Sequence, residues 1–260
     1  MPFIICPKTT TKVKHAFRDM FDLRKAPPKR NKFWYGNFRE NYYEGLGGNV
    51  RVLFSGYSGA VVTWGIGEYR KHHLKDDPRP EVYMVGSVFA FRDSTLELGD
   101  VMTASDSYSP DSVEQRIYEK SALMGIAEPG KPDPELLRRV LLSADKISIP
   151  LSQHNVYCRA TPDFWAGSPG SPNGDELNME TFWQDMALSP IHPNGYDCGE
   201  LETAACLAAC NLWGIPAVSL LDVKDKRFSE TDYRVESKEQ GRKGLISILK
   251  IVKRTILDGS

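Results

Sequence analysis

An α/β domain is predicted by three observations. From residue 49 onward, apolar runs of strand length alternate with longer stretches of helix length. Gly- and Pro-containing turns punctuate them, as at Gly214 and Pro216. The composition is that of one buried core: of 260 residues, 41% are hydrophobic and 26% charged, which excludes a disordered or low-complexity chain.

Each element follows in order. Ile4–Lys12 reads as a strand and turn. The first 39 residues carry ten Lys or Arg against Asp19 and Asp22, and within them Arg24–Lys32 is a solvated loop, because paired prolines stop helix and sheet alike. Asn49–Gly56 is a strand ending at glycine, followed by a helix over Ala60–His73. Glu81–Phe91 and Leu96–Asp106 are strands, and Asp133–Ser143 is a helix with Pro134 in its first turn. Lys146–Thr161 is extended. Residues 166–195, rich in Gly, Pro, Ser and Asn around a short helical piece at Met179–Ala187, form a loop insertion in one domain spanning 1–260, since strong core elements follow. These are a helix over Cys198–Trp213, a strand over Pro216–Val223 and a long helix over Ser237–Leu257.

Charge and composition exclude several functions. Lys+Arg 33 against Asp+Glu 34 offers no global attraction to nucleic acid. No run approaches the roughly 18 apolar residues of a membrane span, and MPFIICPK lacks a signal-peptide core, so a cytoplasmic protein is expected. Five cysteines, an odd number, argue against a disulfide scaffold. Cys206 and Cys210 share one helix face but lack further ligands at metal spacing, so no metal is expected and both read as small buried hydrophobes. Gly65-Ile66-Gly67 is half a dinucleotide fingerprint without its strand-to-helix context and reads as helix packing.

The chemistry concentrates in Tyr196–Arg227: an acidic turn, an Ala-rich helix, a Gly-Ile-Pro turn and an apolar strand delivering Asp225, Lys226 and Arg227 at its carboxyl end. Ligands in α/β sheets bind beyond that end of the strands. A parallel strand before the Ala-rich helix would bring Glu202 to the same place, although it lies 23 residues from Asp225. Two such carboxylates can divide the work, one accepting from sugar hydroxyls and one donating a proton. Glu200 stands three residues after Asp197 and either caps the helix or faces the ligand. Glu202 adjoins a buried face, where an idle carboxylate is costly.

This stretch resembles the nucleoside phosphorylase-I superfamily of purine nucleoside and uridine phosphorylases and related nucleosidases. The family's Met-Glu-x-Ala element reads Leu201-Glu202-Thr203-Ala204 here, and its strand ending in Ser-Asp reads Lys224-Asp225, with matching spacing. Val82–Ser87 is similar to the family's Arg-x-Gly-Ser/Thr strand, with Met84 in place of the phosphorylase arginine. Ile4–Lys12 stands where the family has its phosphate loop. Thr161–Trp165 is similar to the segment whose aromatic pair meets base and sugar.

The resemblance implies a three-layer α/β/α fold with a mixed, partly barrel-like central sheet. It implies cleavage of the N-glycosidic bond of a nucleoside, with purines favoured, and Ser87 with several cations near the candidate site favours phosphorolysis as the form. Asp225 would protonate the leaving base while Glu202 holds the ribose. Glu200, Leu201, Met84, Ser87 and Arg227 would line the substrate, and Phe164 would stack on the base beside Trp165; such stacking contributes roughly 1–3 kcal/mol. Lys8, Lys12, Arg39 and Ser87 would bind phosphate. No cofactor is implied beyond phosphate as co-substrate, and a homo-oligomer is. Methionine cannot bind an oxyanion as a guanidinium does. That keeps a hydrolase acting on a nucleoside or nucleotide, in the manner of AMP nucleosidase, as an alternative. A non-catalytic nucleoside-binding or storage protein is the other.

Overall fold

The computed structural model describes residues 1–26, 36–73, 80–91, 94–109, 112–158, 195–227, 233–235 and 237–259. Most of the expected insertion, including Met179–Ala187, lies outside them.

Among the described residues, ten strands make one sheet. They are β1 (Pro2–Cys6), β2 (Arg24–Lys25), β3 (Tyr42–Gly45), β4 (Val50–Phe54), β5 (Glu81–Ala90), β6 (Val101–Tyr108), β7 (Ser152–Cys158), β8 (Cys198–Glu200), β9 (Ala217–Arg227) and β10 (Tyr233–Val235). Their order is β10-β9-β6-β7-β8-β5-β1-β4-β3-β2, and β9 also pairs with β5. That extra pairing closes β5, β8, β7, β6 and β9 into a five-stranded barrel, from which β1, β4, β3 and β2 extend as an open wing. The barrel is mixed: β5–β9, β6–β7 and β7–β8 are parallel, whereas β9–β6 and β8–β5 are antiparallel.

Both faces are covered by helices. Apolar residues of α1 (Thr11–Phe21), α5 (Pro134–Lys146) and α7 (Lys238–Asp258) pack with Ile4, Tyr83, Val218 and Leu220 on one side. On the other, α3 (Gly59–His72) and α6 (Thr203–Leu212) pack with Phe3, Met84 and Leu221, and α4 (Ser112–Leu123) packs against α6. A short α2 (Gly36–Glu40) precedes β3. The expected three-layer arrangement with a partly barrel-like sheet is the one found.

The chemistry of each helix end explains its limits. Asp133 accepts from Leu136 N at 2.8 Å ahead of Pro134, and Ser237 with Gln240 forms a reciprocal capping box on α7. Gly214, at φ +66, takes the left-handed turn that ends α6, and Ile215 N donates back to Cys210 O at 2.9 Å. Eight residues of α6, Thr203 to Cys210, are buried, as in a core helix apolar on every side. Cys206 and Cys210 are among them, both fully buried.

The expected helix over Cys198–Trp213 is shorter. Its first three residues form β8, because Cys198 and Gly199 pair with Ala90 and Phe89. Helices α1, α2 and α4 are not among the elements expected from the sequence: the apolar period of α1, Val13, Phe17 and Phe21, is set among basic residues, α2 is only five residues long and α4 is weakly amphipathic.

At the α3–α6 contact, the backbones approach closely through Gly59. A Cβ there would overlap Glu114 Oε1 and lie 2.9 Å from Ala205 Cβ. Gly59→Ala is therefore expected to destabilise the fold by about 1–3 kcal/mol, the usual range for overpacking. A lower urea midpoint with an unchanged slope would show it.

Candidate active site

Strand β5 is the ruler along which the site is assembled. Parallel β9 sets Asp222 opposite Ser87 and Asp225 opposite Phe89. Antiparallel β8 runs back along β5 from Ala90, so Glu200, Leu201 and Glu202 arrive near Ser87. The strand before the Ala-rich helix thus runs opposite to the expected direction. It still delivers Glu202 because it is only three residues long. The β5–β9 register slips between Val88 and Phe89, leaving Lys224 as the extra residue of a bulge. Bulges re-aim side chains, and here both Lys224 and Asp225 line the cavity.

Glu202 and Asp225 therefore open onto one cavity, together with Lys8, Tyr57, Ser87, Glu200 and Leu201. Glu202 is 5% exposed, and its Oε1 accepts from Ser58 N at 2.8 Å. Ser58 has φ 114, a conformation costly for any residue with a Cβ. Its Oγ also accepts from Val61 N at 3.4 Å, capping α3. That strained backbone aims the N–H, and the positive end of α3, at the carboxylate. Burial, followed by the neighbouring Glu200 carboxylate, pushes Glu202 well above the usual carboxylate range, against the pull of Ser58 N–H and Lys8.

Glu200 lines the cavity and its carboxylate also serves the helix start. Its Oε2 accepts from Glu202 N at 2.9 Å, while Oε1 accepts from Thr203 N and, at 2.8 Å, from the Cys158 thiol. Asp197 is not part of this cap; it precedes β8 and lies 3.1 Å from His154 Nδ1. The two thiols nearest the site are inert. Burial pushes Cys6 up to about 12 and Cys158 well above its usual value, so neither supplies a thiolate at neutral pH.

The remaining expected residues divide. Ser87 and Leu201 line the cavity; Met84 does not. It is fully buried on the opposite pleat of β5, where Thr203 Oγ1 approaches its Sδ at 3.9 Å. Of the expected cationic cluster, only Lys8 reaches the cavity. Lys12 is exposed on α1 because Val13, Phe17 and Phe21 turn the apolar face of that helix inward. Arg39 is exposed on α2. Arg227 ends β9, opposite Tyr233, and its side chain lies outside the described residues, as do Phe164 and Trp165. Lys226 is buried and donates to Leu96 O at 2.6 Å and Ser94 O at 3.2 Å, tying down the segment before β6.

Three residues at the site are not among the site residues named from the sequence. Tyr57 lines the cavity from the loop before α3, and no spacing marks it. Lys224 enters through the bulge. Asp222 is 1% exposed, and its Oδ1 accepts from Ser87 Oγ and lies 3.4 Å from Lys8 Nζ, which also donates to Ser87 Oγ. Its signal was a lone carboxylate inside the apolar run Pro216–Val223, which burial obliges to find partners.

Among the described residues, no group of three or more His, Cys, Asp or Glu is placed to hold a metal ion. No described helix is long and apolar enough to cross a membrane.

No family model matches the chain, and no curated protein sequence does. Solved structures do. Purine nucleoside phosphorylase from Toxoplasma gondii in complex with immucillin-H aligns with a TM-score of 0.65 at 13% identity, over 98% of this chain and 90% of that one. AMP nucleosidase from Bacteroides thetaiotaomicron VPI-5482 aligns at 0.61 and 13%, over 96% and 87%. A futalosine hydrolase mutant of Helicobacter pylori strain 26695 aligns at 0.61 and 13%, over the whole of both chains. The chain shares the fold of these proteins along nearly its full length. The fold implied by the resemblance to nucleoside phosphorylases and nucleosidases is borne out.

Proposed function

We propose that this protein is an enzyme that cleaves the N-glycosidic bond of a nucleoside, with a purine as leaving base. One observation carries the reading: Glu202 and Asp225, from separate elements, line a single cavity. The names of the structural neighbours, a nucleoside phosphorylase and two hydrolytic enzymes, support the same reaction class.

The chemistry divides as follows. Cleavage leaves positive charge on the sugar and an electron pair on the base. Asp225 donates a proton to the purine as it departs, so no free anion forms. Glu202, held by Ser58 N–H, accepts from the ribose hydroxyls, and its negative charge favours the developing oxocarbenium ion. Leu201 packs on the sugar. Phosphorolysis, the form that Ser87 and the nearby cations favour in the sequence, needs an oxyanion site beside the anomeric carbon. Ser87 and Lys8 are the residues at the cavity with the chemistry for it.

Incubation with a panel of nucleosides and nucleotides, followed by chromatography of the products, tests the reading. Free base is expected from a purine nucleoside. Binding without base release from any member of the panel would leave the storage-protein alternative standing instead.

A further inference from the structure

We infer that Asp222 is a specificity-determining residue, a resident carboxylate that holds Ser87 and Lys8, excludes inorganic phosphate and leaves water as the acceptor. The inference rests on the nucleoside-cleaving reading above and decides which form of it this chain carries out.

The observations are geometric. Asp222 lies on β9 opposite Ser87 in the parallel ladder with β5. Its side chain is 2% exposed, while that of Lys8 is 19% exposed. Behind it, Gly244 of α7 makes the room: a Cβ there would stand 3.0 Å from Asp222 Cβ and 3.6 Å from its Oδ2. The carboxylate is thus closed in by α7 on one side and bonded to Ser87 on the other. Lys8, which follows β1, donates to Ser87 Oγ and faces Asp222 Oδ1 at 3.4 Å.

A buried carboxylate persists only with partners, and these two supply them. The pairing also consumes what an oxyanion would need. Ser87 donates its single hydroxyl proton to Asp222, and the charge of Lys8 is balanced at close range. Phosphate entering here would meet a carboxylate behind its own binding groups. It would have to take the Ser87 proton, leaving Asp222 buried and deprived of that bond. The carboxylates that line the cavity, Glu200, Glu202 and Asp225, add repulsion, with Lys224 as the remaining lining cation. Water carries no charge and meets none of these costs.

The resulting step is balanced without a further reactant. The bond from C1′ to the base nitrogen breaks with its electron pair on the base, which takes the Asp225 proton. The water oxygen bonds to C1′, and its surplus proton leaves to solvent, from which Asp225 is reprotonated. The products are free sugar and free base.

Two measurements test the inference on the full-length protein. In the first, purified protein and a purine nucleoside are incubated without phosphate and with increasing inorganic phosphate. Equal release of base, with free ribose as the sugar product, is expected; ribose 1-phosphate from the wild-type protein would overturn the role of Asp222. The second needs no turnover. Inorganic phosphate should not raise the melting temperature of the wild type. It should stabilise Asp222→Ala, with phosphate bound at least about tenfold more tightly, a modest share of what relieving a like-charge contact gives. Asp222→Asn, which keeps the shape and an acceptor for Ser87, serves if the alanine variant does not fold. Wild-type stabilisation by phosphate that disappears in Ser87→Ala would equally overturn the inference. Failure to release base under any condition sinks the nucleoside reading instead, and the phosphate-binding comparison still reports on Asp222.

Discussion

Asp225→Asn is expected to lower turnover of purine nucleosides by at least about 100-fold, the scale on which a lost general acid is felt. The amide keeps the size of the side chain at the β9 bulge, so the fold should persist, but it cannot donate a proton of useful acidity. The loss should depend on the leaving group. From a 4-nitrophenyl riboside, 4-nitrophenolate departs as a stable anion and needs no protonation. Its cleavage should fall by less than about tenfold in the same variant, because only the contribution of the acid is missing. Equal loss on both substrates would assign Asp225 to binding or folding rather than to proton donation.

The second large effect combines a gain with a loss. Glu202→Gln should reduce activity by about 100-fold, since the variant no longer places negative charge beside the oxocarbenium-like sugar. It should also make the protein more stable at neutral pH. Burial and Glu200 hold Glu202 above its ordinary value of 4.5, so the folded chain binds a proton more tightly than the unfolded one. The unfolded chain releases that proton as pH rises past about 4.5, and wild-type stability falls from there upward toward the folded value. Glutamine is spared this penalty. Its amide oxygen can still accept from Ser58 N–H, and it brings no second charge up to Glu200. Thermal unfolding across pH should show the variant melting higher at pH 7–8, by about 2–4 °C per kcal/mol recovered. The two curves should converge below pH 4.5. A variant that melts lower at neutral pH would show that the Glu202 charge stabilises the fold rather than straining it.

Stability conceded at a functional site is a familiar pattern, and this cavity does so at two neighbouring positions. Ser58 adopts a backbone conformation that glycine would tolerate better, and Glu202 keeps an acidic group where burial disfavours it. The two are joined by one hydrogen bond of 2.8 Å. The strain of the first orients the second.

How much of this was legible beforehand depends on the range of the interactions involved. Strands β4, β5 and β9 and helices α3, α5 and α7 were readable because their patterns are local: apolar runs, proline at a helix start, glycine at a helix end. Glu202 and Asp225 were readable as a pair through their spacing and their resemblance to a known pattern. Amphipathic α1 was obscured by its basic residues, and with it the fate of Lys12, whose outward direction follows from Val13, Phe17 and Phe21 packing inward.

The primary structure alone determined the α/β class and the order of its main elements, and it marked Glu202 and Asp225 as the candidate acidic pair. The class and the element order depend on interactions between near neighbours in the chain, and the acidic pair was marked by its spacing and its resemblance to a known pattern. Only the tertiary structure decided that β8 runs antiparallel along β5, that a bulge presents Lys224 beside Asp225, that Glu200 spends its oxygens on a helix start, and that Asp222 occupies Ser87 and Lys8. Each depends on strand pairing between segments far apart in sequence. A shift of one residue in that register would turn every side chain to the other face.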